Sequence, residues 1–342
     1  HPRSFCYTIH TGGIHMQSLT FPADQSVKNL FGDEPVLESN GPIALIVHQL
    51  DPPLAERINH QLASRRKALA KQNPDLLQLP GYVRNDYRIR VDLSRFSSGE
   101  GKARVIETVR GHDVFILTDV LNYGTSYKRY GTDVSMTPDE HFLDLTRLIL
   151  CTRDSAARIH VIMPFLYEGR RYRKSDRESL DCGAMLRSLF GLGIDNFITF
   201  DAHDARVANA VPRSNFESFP TSYQSIRTIL QTIPDLRVDR EHMMVVSPDE
   251  ENISRAIFYA SAMKLPLGIF YHRRDFKYVD DVLTQTTSRT FLGDSVDGKD
   301  IIIVADLLDS GNDFIDCAAA LKTRGANRVL CTASFAQFTE GI

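Results

Sequence analysis

The feature that most constrains the fold is a repeated alternation of two hydrophobic periods. Short apolar runs at 43–47, 114–117, 159–163, 197–200, 243–246, 267–270, 301–304 and 329–332 are bounded by turn residues, the pattern of strands buried on both faces. Between many of them lie apolar residues at helical spacing: Leu54, Ile58 and Leu62; Phe142, Leu145 and Ile149; Met185, Leu186 and Leu189; Ile253 and Ile257; Phe314, Ala318 and Leu321. Strand followed by helix, many times over, predicts an α/β chain of mostly parallel sheets flanked by helices, with ligands beyond the carboxyl ends of the strands. The loops that follow strands are therefore where chemistry is expected.

At 342 residues the chain is long enough for two such cores. A turn-rich stretch at 210–214 lies between the two groups of strands. The organisation expected is a tail or extension at 1–40 and two domains at 41–205 and 206–342. With 42% hydrophobic and 24% charged residues the composition is that of a soluble globular protein, and no run of about 18 apolar residues is present. The net charge of −3 gives no electrostatic reason for nucleic-acid or membrane binding. The five cysteines are scattered without a C-x-x-C pair, which points away from a disulfide framework or zinc site and towards a reducing, cytoplasmic setting. The first residues lack the basic-then-apolar pattern of a secretory signal. Two stretches, 72–85 and 275–289, are polar and aperiodic, and the second reads as a mobile loop.

Six segments carry candidate chemistry. The strand at 301–304 runs into Asp306, Asp309, Ser310, Gly311 and Asp313, where backbone N–H groups could cradle a phosphate and Asp306 could hold ribose hydroxyls or a metal; a plain helix cap explains the same residues. Asp201 and His203 follow the strand at 197–200, and in extended chain two such residues point the same way, towards a shared cation or phosphate. Asp249 ends another strand after Ser247 and Pro248. Arg170, Arg171, Arg173 and Lys174 form a dense basic run that could grip polyphosphate or be a solvated loop. Phe96, Ser97, Ser98, Gly99 and Glu100 form a glycine turn ahead of the strand at 114–117. Finally, His272, Arg273 and Arg274 leave the strand at 267–270.

In this order the six segments resemble the motifs of the ribose-phosphate pyrophosphokinase (phosphoribosyl pyrophosphate synthase) family, over about residues 41–342; His141 with Phe142, Asp181 with Cys182 and the segment 335–341 resemble a longer bacterial-type branch of it, whose chain usually continues past this end. The resemblance implies two phosphoribosyltransferase-like domains, the first on the nucleotide side and the second on the sugar-phosphate side. It implies Mg2+ as cofactor, ATP and a ribose phosphate as substrates, and a homodimer or homohexamer. By position it assigns Phe96, Glu100, Arg170, Arg171, Arg173, Lys174 and His203 to ATP, with Phe96 and Glu100 acting from a neighbouring subunit. His203 and Asp249 are assigned to metal, Asp306, Asp309, Ser310 and Gly311 to the sugar phosphate, and His272 and Arg274 to catalysis.

Several residues depart from the family pattern. His272 stands where the family has lysine, Ala305 where it has an acid, Asp313 where it has a phosphate-binding Thr or Ser, Glu250 and Glu251 where it has glycines, and Ser98 where it has an acid. A carboxylate at 313 would repel a sugar 5′-phosphate. The changes concentrate in the sugar-phosphate half, which points either to a different ribose acceptor, such as ADP-ribose, or to a catalytically weak or silent homologue with a regulatory or assembly role.

Overall fold

The computed structural model describes residues 5–10, 13–16, 41–233, 235–279 and 282–339, with side chains over 41–233, 235–272 and 289–339. The chain divides into two compact units after Phe219. β1 (Phe5–His10) and β2 (Gly13–Met16) belong to the second unit. The described backbone of the 1–40 stretch thus joins a sheet, with β1 antiparallel to the C-terminal strand of that unit. The expected domain boundary at 205/206 compares with a division at 219/220, because the strand at 215–219 pairs back into the first sheet.

In the first unit β3 (Ile43–His48), β6 (Asp113–Thr118), β9 (Arg158–Ile162), β10 (Asn196–Phe200) and β11 (Asn215–Phe219) form a parallel sheet in the order β11-β10-β9-β6-β3. The helices are α1 (Pro52–Gln72), α2 (Pro138–Thr152) and α3 (Asp181–Gly191). Fully buried Val114, Ile116, Val161 and Phe197 pack in one cluster with Leu145 and Leu148 of α2 and Leu186 and Leu189 of α3. The start of α2 is set locally. Thr137 Oγ1 accepts from Glu140 N at 3.3 Å, Glu140 accepts from Thr137 N at 2.9 Å, and Pro138 opens the helix.

Two hairpins decorate this unit: β4 (Val91–Arg95) with β5 (Gly101–Val105), and β7 (Ser126–Arg129) with β8 (Thr132–Ser135). Neither was read from the sequence. The first is tied to α2 by Arg95, whose Nη2 lies 2.6 Å from Asp144, a carboxylate only 3% exposed that also accepts from Arg147 at 2.7 Å. Removing one member would strand a buried charge, so the turn between β4 and β5 is held on a rigid base.

The second unit's sheet runs β14-β13-β12-β15-β16-β1-β2, from β12 (Met243–Ser247), β13 (Leu267–Val279), β14 (Val282–Leu292), β15 (Asp300–Leu308) and β16 (Val329–Ala336). It is flanked by α4 (Ser222–Thr232), α5 (Ile253–Met263) and α6 (Asn312–Thr323). Along β15 the residues alternate between layers: Ile301, Ile303 and Ala305 pack with Phe314 and Cys317 of α6, and Ile302 and Val304 with Ala256 and Tyr259 of α5. The parallel strands β12 and β15 are neighbours, flanked by β13 on one side and β16 on the other. Chain order reverses there, which opens a crevice at the carboxyl ends of β12 and β15.

The stretch expected as a mobile loop is instead strand. β13 and β14 pair antiparallel from Ile269↔Leu292 to Val279↔Val282. Threonines at 284, 286, 287 and 290 favour extended backbone, a preference that the lack of apolar period concealed.

One polar feature of the first core is titratable. His48 is fully buried, its Nδ1 2.8 Å from Thr118 Oγ1, and its Nε2 has no hydrogen-bond partner among the described residues. Burial, reinforced by His141 and Arg95, lowers its pKa from 6.5 to about 3. Because the folded-state value is depressed, the unfolded chain binds a proton that the folded chain refuses as pH falls below 6.5. The stabilisation is complete above that value and is lost towards pH 3. Replacing His48 by Gln should therefore remove about 2–3 kcal/mol of the stability lost between roughly pH 7 and 4.5, read by urea unfolding at both pH values. An unchanged pH dependence would show that His48 is not a source of the acid sensitivity.

Candidate active site

In the first unit the basic run occupies the loop between β9 and α3. Arg170, Arg171, Arg173 and Lys174 are all exposed, and Tyr172 is half-buried among them. Tyr172 is the organising side chain. Its ring centroid is 5.8 Å from that of His203, with the guanidinium of Arg206 5.2 Å and that of Arg173 5.6 Å from the ring. Arg206 is aimed by Asp204, which it meets at 2.6 Å, and that hydrogen bond holds the Asp204 carboxyl below its usual range. The structure thus brings the basic loop and His203 together around one aromatic ring, an arrangement suited to polyphosphate and a planar base.

Asp201 differs from its expected role. It is 8% exposed with φ +42°, and its N–H is donated to Phe219 O at 3.0 Å. A left-handed residue breaks extended geometry, so the two-residue alternation that aligned Asp201 with His203 does not hold. Such a conformation in a residue other than glycine stores strain of the kind found beside functional loops.

The turn carrying Phe96 and Glu100 stands at the tip of β4 and β5. Gly99 has φ +99° and donates to Phe96 O at 2.8 Å, while Phe96 donates to Glu100 O at 2.9 Å. Ser98 Oγ, in the place of the family acid, donates to Glu100 Oε2 at 2.9 Å. Phe96 is 58% exposed, a large apolar side chain presented outward.

In the second unit Asp249 and Asp306 sit at the carboxyl ends of β12 and β15, joined by a residue that the sequence reading missed. Asn252 donates from its backbone N to Asp249 Oδ1 at 2.8 Å and from Nδ2 to both carboxylate oxygens at 3.0 Å. Its Oδ1 accepts from the backbone N–H of Asp306 at 2.9 Å. Asn252 and Asp306 are 8% and 7% exposed. The only sequence signal was an amide three residues after a strand-end acid, which reads equally as a helix cap.

Asp309, Ser310 and Gly311 form the turn into α6, with Gly311 at φ +91°. Asp309 is tied back by Thr339, which donates from N at 3.2 Å and from Oγ1 at 2.9 Å. Ala305 is 3% exposed within the apolar layer under α6, so an acid restored there would enter a packed core.

The departures at 250, 272 and 313 make one connected group. His272 donates from its backbone N to Glu250 Oε1 at 2.9 Å, and its Nδ1 lies 3.2 Å from Glu250 Oε2. Arg289 on β14, directly opposite His272 in the register, donates Nε–H to His272 Nε2 at 3.1 Å and Nη2–H to Asp313 Oδ1 at 2.6 Å. Its Nη1 reaches Asp313 O at 3.3 Å and Cys317 Sγ at 3.6 Å. The Cys317 thiol is pushed up to about 12, chiefly by burial, and stays neutral. Arg289 had no local motif to reveal it. Arg274 lies on β13 opposite Thr287, but its side chain is outside the described residues. Among the described residues no cluster of three or more His, Cys, Asp or Glu is arranged to hold a metal, and no helix is long and apolar enough to cross a membrane.

Each unit is an α/β fold with charged residues at the ends of its parallel strands, and the family matches place both in the phosphoribosyltransferase type. Residues 43–193 match the N-terminal domain of ribose phosphate pyrophosphokinase, and residues 212–339 match the phosphoribosyl transferase domain. A ribose-phosphate pyrophosphokinase of Chromobacterium violaceum is 32% identical over 254 residues, 73% of this chain and 69% of the relative. One of Neisseria meningitidis serogroup A is 31% identical over 251 residues, 72% and 68% of the two chains. The crystal structure of phosphoribosylpyrophosphate synthetase from Mycobacterium smegmatis shares the fold with a TM-score of 0.64 at 21% identity, over 86% of this chain and 82% of that one. The chain belongs to the ribose-phosphate pyrophosphokinase family, a family of diphosphotransferase enzymes.

Replacing Asn252 by Ala leaves the buried N–H of Asp306 without its acceptor and the Asp249 carboxylate without its amide donor. A loss of about 2–4 kcal/mol in unfolding free energy is expected, measured by denaturant titration. A change below about 0.5 kcal/mol would show that the bridge is not structural.

Proposed function

We propose that this protein transfers the β,γ-pyrophosphoryl group of ATP to the anomeric hydroxyl of a ribose acceptor, with AMP as the other product. The observation that carries the reading is the cluster of Tyr172, His203, Arg173 and Arg206 beside the exposed basic loop, in the unit that matches the N-terminal domain of ribose phosphate pyrophosphokinase. Arg170, Arg171, Arg173 and Lys174 take the nucleotide's phosphates, and His203 meets the same phosphates. Phe96 and Glu100 face the base of ATP held by another copy of the chain, which makes the working enzyme a homo-oligomer.

On the second unit, Asp249 suits Mg2+. It is a hard oxygen ligand at a strand end, and Asn252 fixes it with neutral N–H donors rather than with a cation. Bound Mg2+, held by Asp249, would supply charge neutralisation on the phosphates. Asp306 with the turn at Asp309, Ser310 and Gly311 holds the ribose, and His272 and Arg274 border the transferred group. The anomeric oxygen forms its bond to the β-phosphorus as the bond from that phosphorus to the α,β-bridging oxygen breaks. The hydroxyl proton passes to solvent and AMP leaves. Positioning and charge stabilisation account for most of the acceleration.

The acceptor follows from Asp313. Its carboxylate occupies the first turn of α6, where the family pattern has a hydroxyl for the sugar 5′-phosphate, and it is 81% exposed. A terminal dianion is disfavoured there, so a ribose whose 5′ group is a diester, such as ADP-ribose, is the preferred partner. A second reading, a silent homologue that regulates an active synthase, draws support from the same self-paired Glu250, His272, Arg289 and Asp313.

AMP release from ATP and Mg2+ separates them. Turnover should require an acceptor and be about tenfold or more faster with ADP-ribose than with ribose 5-phosphate, and Asp313→Thr should shift the preference towards ribose 5-phosphate. No AMP with either acceptor, while a non-hydrolysable ATP analogue still binds, would establish the regulatory reading.

A further inference from the structure

The position on β13 that the family fills with lysine holds His272, yet both of its ring nitrogens are engaged. An arginine Nε–H can only donate, so Nε2 of His272 is an acceptor and Nδ1 is the nitrogen that carries a proton, directed at Glu250. The imidazole in this arrangement is a neutral spacer. Among the described side chains, the cation at this place is its cross-strand neighbour, Arg289.

Arg289 is held on one side by acceptors of no formal charge: His272 Nε2 at 3.1 Å, the carbonyl of Asp313 at 3.3 Å and the buried Cys317 sulfur at 3.6 Å. These fix the guanidinium plane without neutralising it. Its charged partners are the exposed carboxylates of Asp313 at 2.6 Å and Asp316 at 3.8 Å, 81% and 73% exposed against 20% for Arg289. Exposed ion pairs of this kind contribute little net stability, so exchanging the Asp313 carboxylate for a phosphate oxygen costs little. An arginine anchored through Nε and Nη1, with Nη2 paired only to the exposed carboxylate of Asp313, is prepared to offer Nη2–H to an anion.

From this we infer that Arg289 is the phosphate-contacting cation of the second unit, taking over from position 272 the charge on the transferred diphosphate, with Asp313 as its counter-ion in the unliganded state. Asp313 and Asp316 pair with Arg289, and Glu250 with the adjoining His272, so the ligand class is a diphosphate complexed to a divalent cation rather than bare orthophosphate. The inference rests on the proposed diphosphotransfer. It is nonetheless tested by binding alone, so that its failure is distinct from an absence of turnover.

Magnesium pyrophosphate is titrated calorimetrically into the full chain carrying Arg170→Ala and Arg171→Ala, which removes the competing basic loop of the first unit. Added Arg289→Ala should weaken binding about tenfold or more. Arg289→Lys, which keeps charge but not the fork, should weaken it about threefold or more. Asp313→Asn, which removes the competing carboxylate, should tighten it severalfold. Affinity within twofold of the parent in the Arg289→Ala chain, or weaker binding in Asp313→Asn, overturns the assignment. Should Arg289→Ala fail to fold by circular dichroism, the Arg289→Lys result decides in the same way.

Discussion

The bridge made by Asn252 is the contact on which the second unit's chemistry depends. One amide ties the carboxylate after β12 to the backbone of β15. Those two strands are where the sheet order reverses and a crevice opens. A single residue thus sets the position of the Asp249 side chain after β12 relative to the backbone of β15 at Asp306. Its partners are the Asp249 carboxylate and the Asp306 backbone, both within the unit, so the placement survives without a ligand and the acid, held by neutral N–H donors, remains available to a hard cation.

A second consequence concerns the departures from the family pattern. Taken singly, a histidine for a lysine, a glutamate for a glycine and an aspartate for a threonine each read as losses. In the fold Glu250 orients His272, His272 anchors Arg289, and Arg289 pairs with the exposed Asp313. Such mutual satisfaction is what a polar group at a half-buried site requires. It also explains why restoring one family residue at a time is a poor repair. A lysine at 272 would place an ammonium against the guanidinium of Arg289, and an acid at 305 would enter the apolar layer beneath α6.

Much of the architecture was legible because burial writes a strong periodic signal. Each apolar run from Ile43 to Thr332 lies on a strand of one of the two sheets; the charged residues at 170–174, 203, 249 and 309 follow strands, whereas His272 and Arg274 lie within β13 and Asp306 within β15. The failures have physical causes. The hairpin at 126–135 is short and largely exposed, without an apolar face; in the one at 91–105, Val91, Leu93, Ala103 and Val105 do alternate towards the core, but over strands of only five residues each. The strands β13 and β14 extend through polar, threonine-rich sequence. Asp201 adopts a left-handed turn that no local pattern announces. Arg289 meets His272 through antiparallel register alone, a relation between distant positions that no local motif records.

The central claim is that the cation of the diphosphate site has moved from position 272 to position 289. Acceptor-dependent AMP release compared across His272→Lys, Arg289→Met and the double variant tests it most directly. The account predicts that each single change slows turnover, the first through repulsion and the second through lost charge, and that the double variant is faster than Arg289→Met alone. A His272→Lys enzyme faster than the unmodified chain, or a double variant no better than Arg289→Met, would contradict it.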